Sequence, residues 1–245
     1  MRKLMLMVQY DGTDYAGFQV QPNVPTVQQE LQQALAGLVG EPVKLRAASR
    51  TDAGVHALGQ IVAFETTNPI PPANLVVAIN ERLPLAVKVV EACEVALEFD
   101  PRYDARRKLY SYRLLNRVTG SPFIARYAWH VPEKLDVAAM DAAAGLLLGR
   151  HDFSAFRAAG GAPTEPVRNL HRCDVNTDGD LIEMYVEADG FLYKMVRNMV
   201  GTLVEVGRGR LAAQQVAEIL ASRDRSRAGP TAPSCGLNLV RVSYE

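Results

Sequence analysis

The chain has 245 residues, 48% of them hydrophobic and 22% charged, the composition of an ordinary soluble globular protein long enough for one large domain or two lobes. Its 27 basic and 27 acidic side chains cancel, so overall charge gives no support to a nucleic-acid partner and only local clustering can. Cys93, Cys173 and Cys235 are odd in number and far apart, which excludes a disulfide framework or a cysteine zinc site; the apolar run at residues 4–8 is too short for a signal peptide, and no stretch approaches a membrane span. The expectation is a cytoplasmic protein with reduced thiols and no membrane partner.

Leu4, Leu6, Val8 and Tyr10 alternate with Met5, Met7 and Gln9, which predicts a strand covered on both faces and closed by an Asp11-Gly12 turn. Thr26 followed by Gln29 reads as a capping box for a helix carrying Val27, Leu31, Ala34, Leu35, Leu38 and Val39, which Gly40 ends. Residues 43–47 and 60–64 read as strands flanking the octapeptide R-T-D-A-G-V-H-A at 50–57. There Asp52 stands between Arg50 and His56, and Gly54 lets the backbone take positive φ or pass close to a ligand. Nearby positive charge keeps a carboxylate ionised, so Asp52 is a candidate nucleophile or base. A plain turn or capping aspartate is the alternative.

Residues 69–101 read as a connecting region: several prolines, a short helix near 73–82, a strand at 87–90, and a solvated acidic face of Glu81, Glu91, Glu94, Glu98 and Asp100. A strand follows at 108–115. Asp136 can cap a helix carrying Val137, Met140, Ala144, Leu147 and Leu148, with Gly149 at its end. Strands at 171–176 and 181–188, an Asp189-Gly190 turn, helices at 193–206 and 212–222, and a strand at 237–244 complete the chain. Gly160-Gly161 marks a place for flexibility.

The two halves share one element order, which suggests duplication. The predicted fold class is α+β: two similar lobes of mainly antiparallel strands with helices on one side, their sheets joined across a central cleft. The division falls at 1–105, with the Asp52 turn, and 106–245.

Two basic segments stand out. One comprises Arg102, Arg106, Arg107, Lys108, Arg113 and Arg117, interleaved with Tyr103, Tyr110 and Tyr112; the other runs through Lys194, Arg197, Arg208, Arg210, Arg223, Arg225 and Arg227. Basic side chains neutralise phosphates and aromatic rings stack on unpaired bases, so these segments suit RNA; a solvated surface is the alternative. Met195, Val196, Met199, Val200 and Leu203 form the apolar face of the 193–206 helix, and Arg197 lies at its margin, where an anionic partner such as Asp52 would be needed. His56, His130, His151 and His171 show no metal-ligand spacing, and no phosphate-binding glycine loop or serine elbow occurs, so neither metal nor cofactor is expected. From the residues alone, a non-catalytic RNA-binding module and a small-molecule hydrolase or isomerase working through Asp52 remain rivals of an RNA-modifying isomerase.

Seven stretches resemble, in order, the bacterial tRNA pseudouridine synthase A family: Y-D-G-T-D-Y-A-G-F-Q at 10–19, T-V-Q at 26–28, the octapeptide at 50–57, R-K-L-Y-S-Y-R at 107–113, H-D-F-S-A-F at 151–156, F-L-Y-K-M-V-R-N-M-V-G at 191–201 and A-G-P-T-A-P at 228–233. The resemblance implies the pseudouridine synthase fold. It also implies a cofactor-free homodimer that isomerises uridine to pseudouridine at tRNA positions 38, 39 and 40, in the anticodon stem-loop. By the same resemblance Asp52 is the catalytic aspartate, Tyr110 the tyrosine that stacks on the target base and is a candidate for proton removal, Arg197 the arginine paired with the catalytic carboxylate, and Arg50 the residue that helps hold the flipped nucleotide. Phe18 stands where a tryptophan is common and Gln29 where glycine or glutamate often follows; both are expected to lie away from the chemistry.

Overall fold

A computed structural model describes residues 1–161 and 164–245 and shows a mixed α+β chain whose strands are mostly antiparallel. It divides into two units, Met1–Arg106 with Asn238–Glu245 and Arg107–Leu237.

In the first unit the period-2 pattern becomes β1 (Arg2–Tyr10), whose Leu4, Leu6, Val8 and Tyr10 are buried. The opposite face is only partly covered: Met5 and Met7 are half-buried and Gln9 is exposed, so the strand is not covered on both faces as its pattern predicted. Helix α1 (Val27–Val39) buries Val27, Leu31, Leu35 and Val39 and ends at Gly40, whose φ of 78° is the left-handed conformation that closes a helix. The capping box does not form. The carbonyls of Gly17 and Phe18 already take the first two amides of the helix, those of Val27 and Gln28, and the Thr26 hydroxyl is left buried without a partner.

Strand β2 is only two residues long (Arg46–Ala47), because glutamines of α1 take the carbonyls before it: Gln32 Nε2 donates to Val43 at 2.8 Å and Gln28 Nε2 to Leu45 at 3.4 Å. Strand β3 (His56–Thr66) is longer than its apolar run suggested and buried along most of its length. Helix α2 (Pro72–Asn80) and β4 (Val87–Val95) follow; Asn80 ties them together by bonding both backbone groups of Val89, at 2.7 and 2.9 Å.

The second unit holds β5 (Arg107–Leu115), β6 (Trp129–His130), α3 (Val137–Gly145), β7 (Gly149–Asp152), β8 (Val167–Asp178), β9 (Leu181–Ala188), α4 (Met195–Gly207) and α5 (Ala213–Ser222). Its strands run antiparallel in the order β5-β9-β8-β7, with β6 parallel to β5. Asp136 caps α3 by accepting the Ala139 amide at 3.0 Å, as its sequence position predicts. Gly149, at φ 95°, opens β7 rather than ending α3. Gly161 is packed against Tyr193: a Cβ there would lie 2.7 Å from the Tyr193 Cβ.

The last strand, β10 (Leu237–Ser243), contributes to the first unit. It runs parallel to β3, pairing Asn238 with His56 and Leu239 with Ala57, which gives that unit the order β4-β1-β3-β10 with β2 on β3.

Candidate active site

The Asp52 turn is narrow and supported from three directions. The Asp52 carbonyl accepts the Val55 amide at 3.2 Å, closing a four-residue turn whose third residue, Gly54, has φ 75°. Residues 10–19 wrap this turn: the Phe18 amide donates to the Thr51 carbonyl at 3.1 Å, and the Gly54 amide to the Tyr15 carbonyl at 3.3 Å. The approach is so close that side chains are excluded. A Cβ on Gly12 would sit 2.0 Å from the Val55 carbonyl oxygen, and one on Gly17 2.9 Å from that of Thr51. His56 Nδ1 accepts the Gly12 amide at 3.1 Å, so the histidine that the octapeptide sets near Asp52 also anchors the wrapping loop.

Within this frame Asp52 is half-buried, Thr51 is buried and Arg50 is exposed. Phe18 is not remote from the turn: it is buried, its amide holds Thr51, and its ring lies 6.1 Å from that of Tyr10. Thus Y-D-G-T-D-Y-A-G-F-Q is the cradle of the Asp52 turn. Motif proximity alone could not reveal this, since the two segments are some forty positions apart.

Tyr110 and Arg197 belong to the second unit. Tyr110 is buried on β5, its ring edge-on to Phe191 with centroids 5.0 Å apart. Tyr112, two residues on and therefore on the same face, donates its hydroxyl to the Pro233 carbonyl at 2.7 Å. Burial pushes this hydroxyl far above the ordinary tyrosine value and the Cys235 thiol adds to the effect, while the nearby Arg197 guanidinium opposes it. Tyr112 is therefore a structural tyrosine. Of the three rings that the sequence interleaves with basic residues, Tyr103 alone is largely exposed.

Helix α4 is buried almost all round rather than on one face, and of its thirteen residues only Arg197 and Glu205 are partly exposed. Arg197 Nε donates to the Ala232 carbonyl at 2.8 Å, and the Ala232 amide returns a bond to the Arg197 carbonyl at 3.1 Å. The A-G-P-T-A-P segment lies across α4 at Gly201, where a Cβ would meet the Pro230 carbonyl oxygen at 1.7 Å.

The basic segments are more balanced than their sequence suggests. On β5, Arg113 pairs with Glu183 and Arg107 with Glu187 at 3.8 Å, because the antiparallel register sets β9 acids beside them. Arg208 meets Glu205 at 2.8 Å and Glu133 at 3.2 Å, and Arg223 meets Asp152 at 3.1 Å. Where one partner of such a pair is well exposed, as Arg223 is, the pair contributes little to stability.

Among the described residues, no three His, Cys, Asp or Glu side chains group as a metal site would require, and no helix is long and apolar enough to cross a membrane. The profile of the family described as "tRNA pseudouridine synthase" matches residues 6–104 and 143–245. This chain belongs to that family. The match takes in both the Asp52 turn and α4 with its strap, while Tyr110 lies between the two matched segments. Three similar proteins carry the name tRNA pseudouridine synthase A. One from Myxococcus xanthus is 50% identical over 245 residues, covering 100% of this chain and 92% of that protein. One from Moorella thermoacetica is 49% identical, covering 98% and 99%, and one from Thermoanaerobacter is 46% identical over the full length of both.

Proposed function

We propose that this protein isomerises uridine to pseudouridine at positions 38, 39 and 40 of the tRNA anticodon stem-loop, with Asp52 as the nucleophile. Family membership along nearly the whole chain supports the activity: the protein is an isomerase, a tRNA pseudouridine synthase. The observation that carries the residue assignment is the framing of the Asp52 turn, in which the wrapping loop and β3 hold the backbone while the carboxylate stays half-buried.

The reaction breaks the C1′–N1 bond of uridine and joins C1′ to C5 of the same ring; the C5 hydrogen leaves as a proton and N1 takes one up, so the change is an isomerisation and C5 label is released. A fixed carboxylate serves it by attack at the ribose C1′, by attack at the uracil C6, or by abstraction of a ribose proton. Arg197 is the proposed cationic partner of that carboxylate, its guanidinium already oriented by Ala232. Tyr110 is the proposed stacking ring, its plane set by Phe191, and Arg50 the exposed cation that helps hold the flipped nucleotide. The enzyme so described acts as a cytoplasmic homodimer without a cofactor.

Tritium release from unmodified tRNA labelled at uracil C5 tests this reading. Wild type should release label and Asp52→Asn should not, while binding tRNA with unchanged affinity; turnover by the variant would remove Asp52 from the chemistry.

A further inference from the structure

A polar side chain in the middle of a buried strand needs internal partners, and Gln60 of β3 is completely buried. The β2–β3 register pairs Arg46 with Ala63 and Ala47 with Val62, and the Ala48 amide still donates to the Ile61 carbonyl at 2.8 Å. One step further, Ser49 comes opposite Gln60. There the backbone rung is replaced by a side chain: the Ser49 amide donates to Gln60 Oε1 at 3.1 Å, and Gln60 Nε2 donates to the Ser49 carbonyl at 2.8 Å. A carboxamide offers the same donor and acceptor as a peptide group. It therefore extends the ladder by the length of one side chain, so that the chain stands off from β3 while still bonded to it. β3 meanwhile turns to another neighbour, with Gly59 against the Val240 carbonyl and His56 and Ala57 paired to β10.

The same amide reaches further. Gln60 Nε2 lies 3.4 Å from the Tyr10 hydroxyl, which in turn lies 2.7 Å from the Thr51 hydroxyl. If the amide donates to Tyr10, the tyrosine proton goes to Thr51. Ser49 and Thr51, the residues on either side of Arg50, are thus both fixed from inside by uncharged groups. Thr51 immediately precedes Asp52.

We infer that Gln60 is a positioning residue for the Asp52 reaction: its carboxamide, with Tyr10, sets where the chain leaves the sheet and so where the carboxylate stands. This rests on the proposed role of Asp52. Misplacing a reacting group by about 1 Å costs on the order of 100-fold in rate, whereas substrate contacts elsewhere are unaffected.

The test uses the full chain with Gln60→Met, which keeps length and loses the hydrogen bonds, and Gln60→Glu. Thermal midpoint, tRNA affinity and steady-state tritium release are measured, with Asp52→Asn alongside. Gln60→Met should fold, keep KM within about threefold and lose roughly 10- to 100-fold in kcat. In Gln60→Glu, a protonated carboxyl can both accept from the Ser49 amide and donate to its carbonyl, whereas a carboxylate cannot donate. Burial raises the pKa of such a group. The kcat of Gln60→Glu relative to wild type should therefore climb as pH falls from about 8 to about 6. A merely structural glutamine would move the thermal midpoint and leave that ratio flat. Wild-type kcat in Gln60→Met, with Asp52→Asn inactive, overturns the role of Gln60 alone; an active Asp52→Asn overturns the Asp52 reading and this one with it. Should Gln60→Met fail to fold, a flat pH ratio in Gln60→Glu overturns the proposal.

Discussion

The Asp52 turn of the first unit and the 228–233 strap of the second solve one problem by different means. Each is an irregular segment held hard against its neighbours, each needs a glycine where backbones meet, and each has a buried carboxamide behind it, Gln60 or Asn198. The first unit adds hydroxyls, backbone groups and the His56 ring. The second adds a cation: Arg225 donates to the carbonyls of Ala228 and Gly229 at 3.3 and 3.0 Å, to Asn198 Oδ1 at 3.0 Å and to the Thr231 hydroxyl at 3.2 Å. Burial among these neutral acceptors pulls the Arg225 pKa below its ordinary value. A carboxamide suffices where a turn must be spaced from one strand by one rung. A forked guanidinium is used where a single side chain must gather three oxygens of a crossing segment and one of the helix it crosses.

Breaking the glycine contacts should separate the two regions most. Gly201→Ala puts a methyl 1.7 Å from the Pro230 carbonyl from a helix buried on nearly every side, which cannot shift to relieve the contact; about 3 kcal/mol of stability should be lost. Gly12→Ala meets the Val55 carbonyl at 2.0 Å, a slightly longer contact than at Gly201, and should cost about 2 kcal/mol while displacing the Asp52 turn and lowering activity. Thermal unfolding of the pair, with turnover measured on each, checks the order; a larger stability loss at Gly12 would show that the cradle is the stiffer region.

The clamps come next. Arg225→Lys keeps the charge but not the fork, and should cost about 2 kcal/mol in denaturant unfolding, since one ammonium cannot serve all four acceptors. A loss under 0.5 kcal/mol, taken as a rough threshold, would mean that charge rather than geometry holds the strap. Smallest, and opposite in sign, is Thr26→Val. Its hydroxyl is buried with no partner beside the wrapping loop, so the isosteric methyl should raise stability by about 1 kcal/mol in the same measurement.

Much of the secondary structure was readable from periodicity, because alternation and 3.6-residue spacing report burial directly. The strand at 181–188 and the helix closing at Gly40 both appear where the pattern sets them. The long second strand failed because its backbone carbonyls were satisfied by partners outside the sheet, the glutamines of α1, and the capping box at Thr26 failed because its hydroxyl takes no amide at all. The basic segments are also less one-sided in charge than their sequence shows. A count along the chain cannot see that an antiparallel register sets Glu183 and Glu187 beside arginines seventy and eighty positions away.

Asp52 could be singled out because its turn is local: a carboxylate, a positive-φ glycine, an arginine and a histidine within eight residues. The cradle could not, since Phe18, Gly12 and Gln60 act through contacts that exist only once three segments have been brought together. A polar residue amid a buried strand was the one available hint of Gln60. By itself the sequence determined the α+β elements, the family and the candidate carboxylate, all of which rest on short-range pattern or ordered motifs. Only the tertiary structure decided that β10 pairs with β3, that the first motif wraps the turn, and that a side chain stands in for a ladder rung. Those features depend on register and edge pairing between distant segments, which local periodicity does not encode.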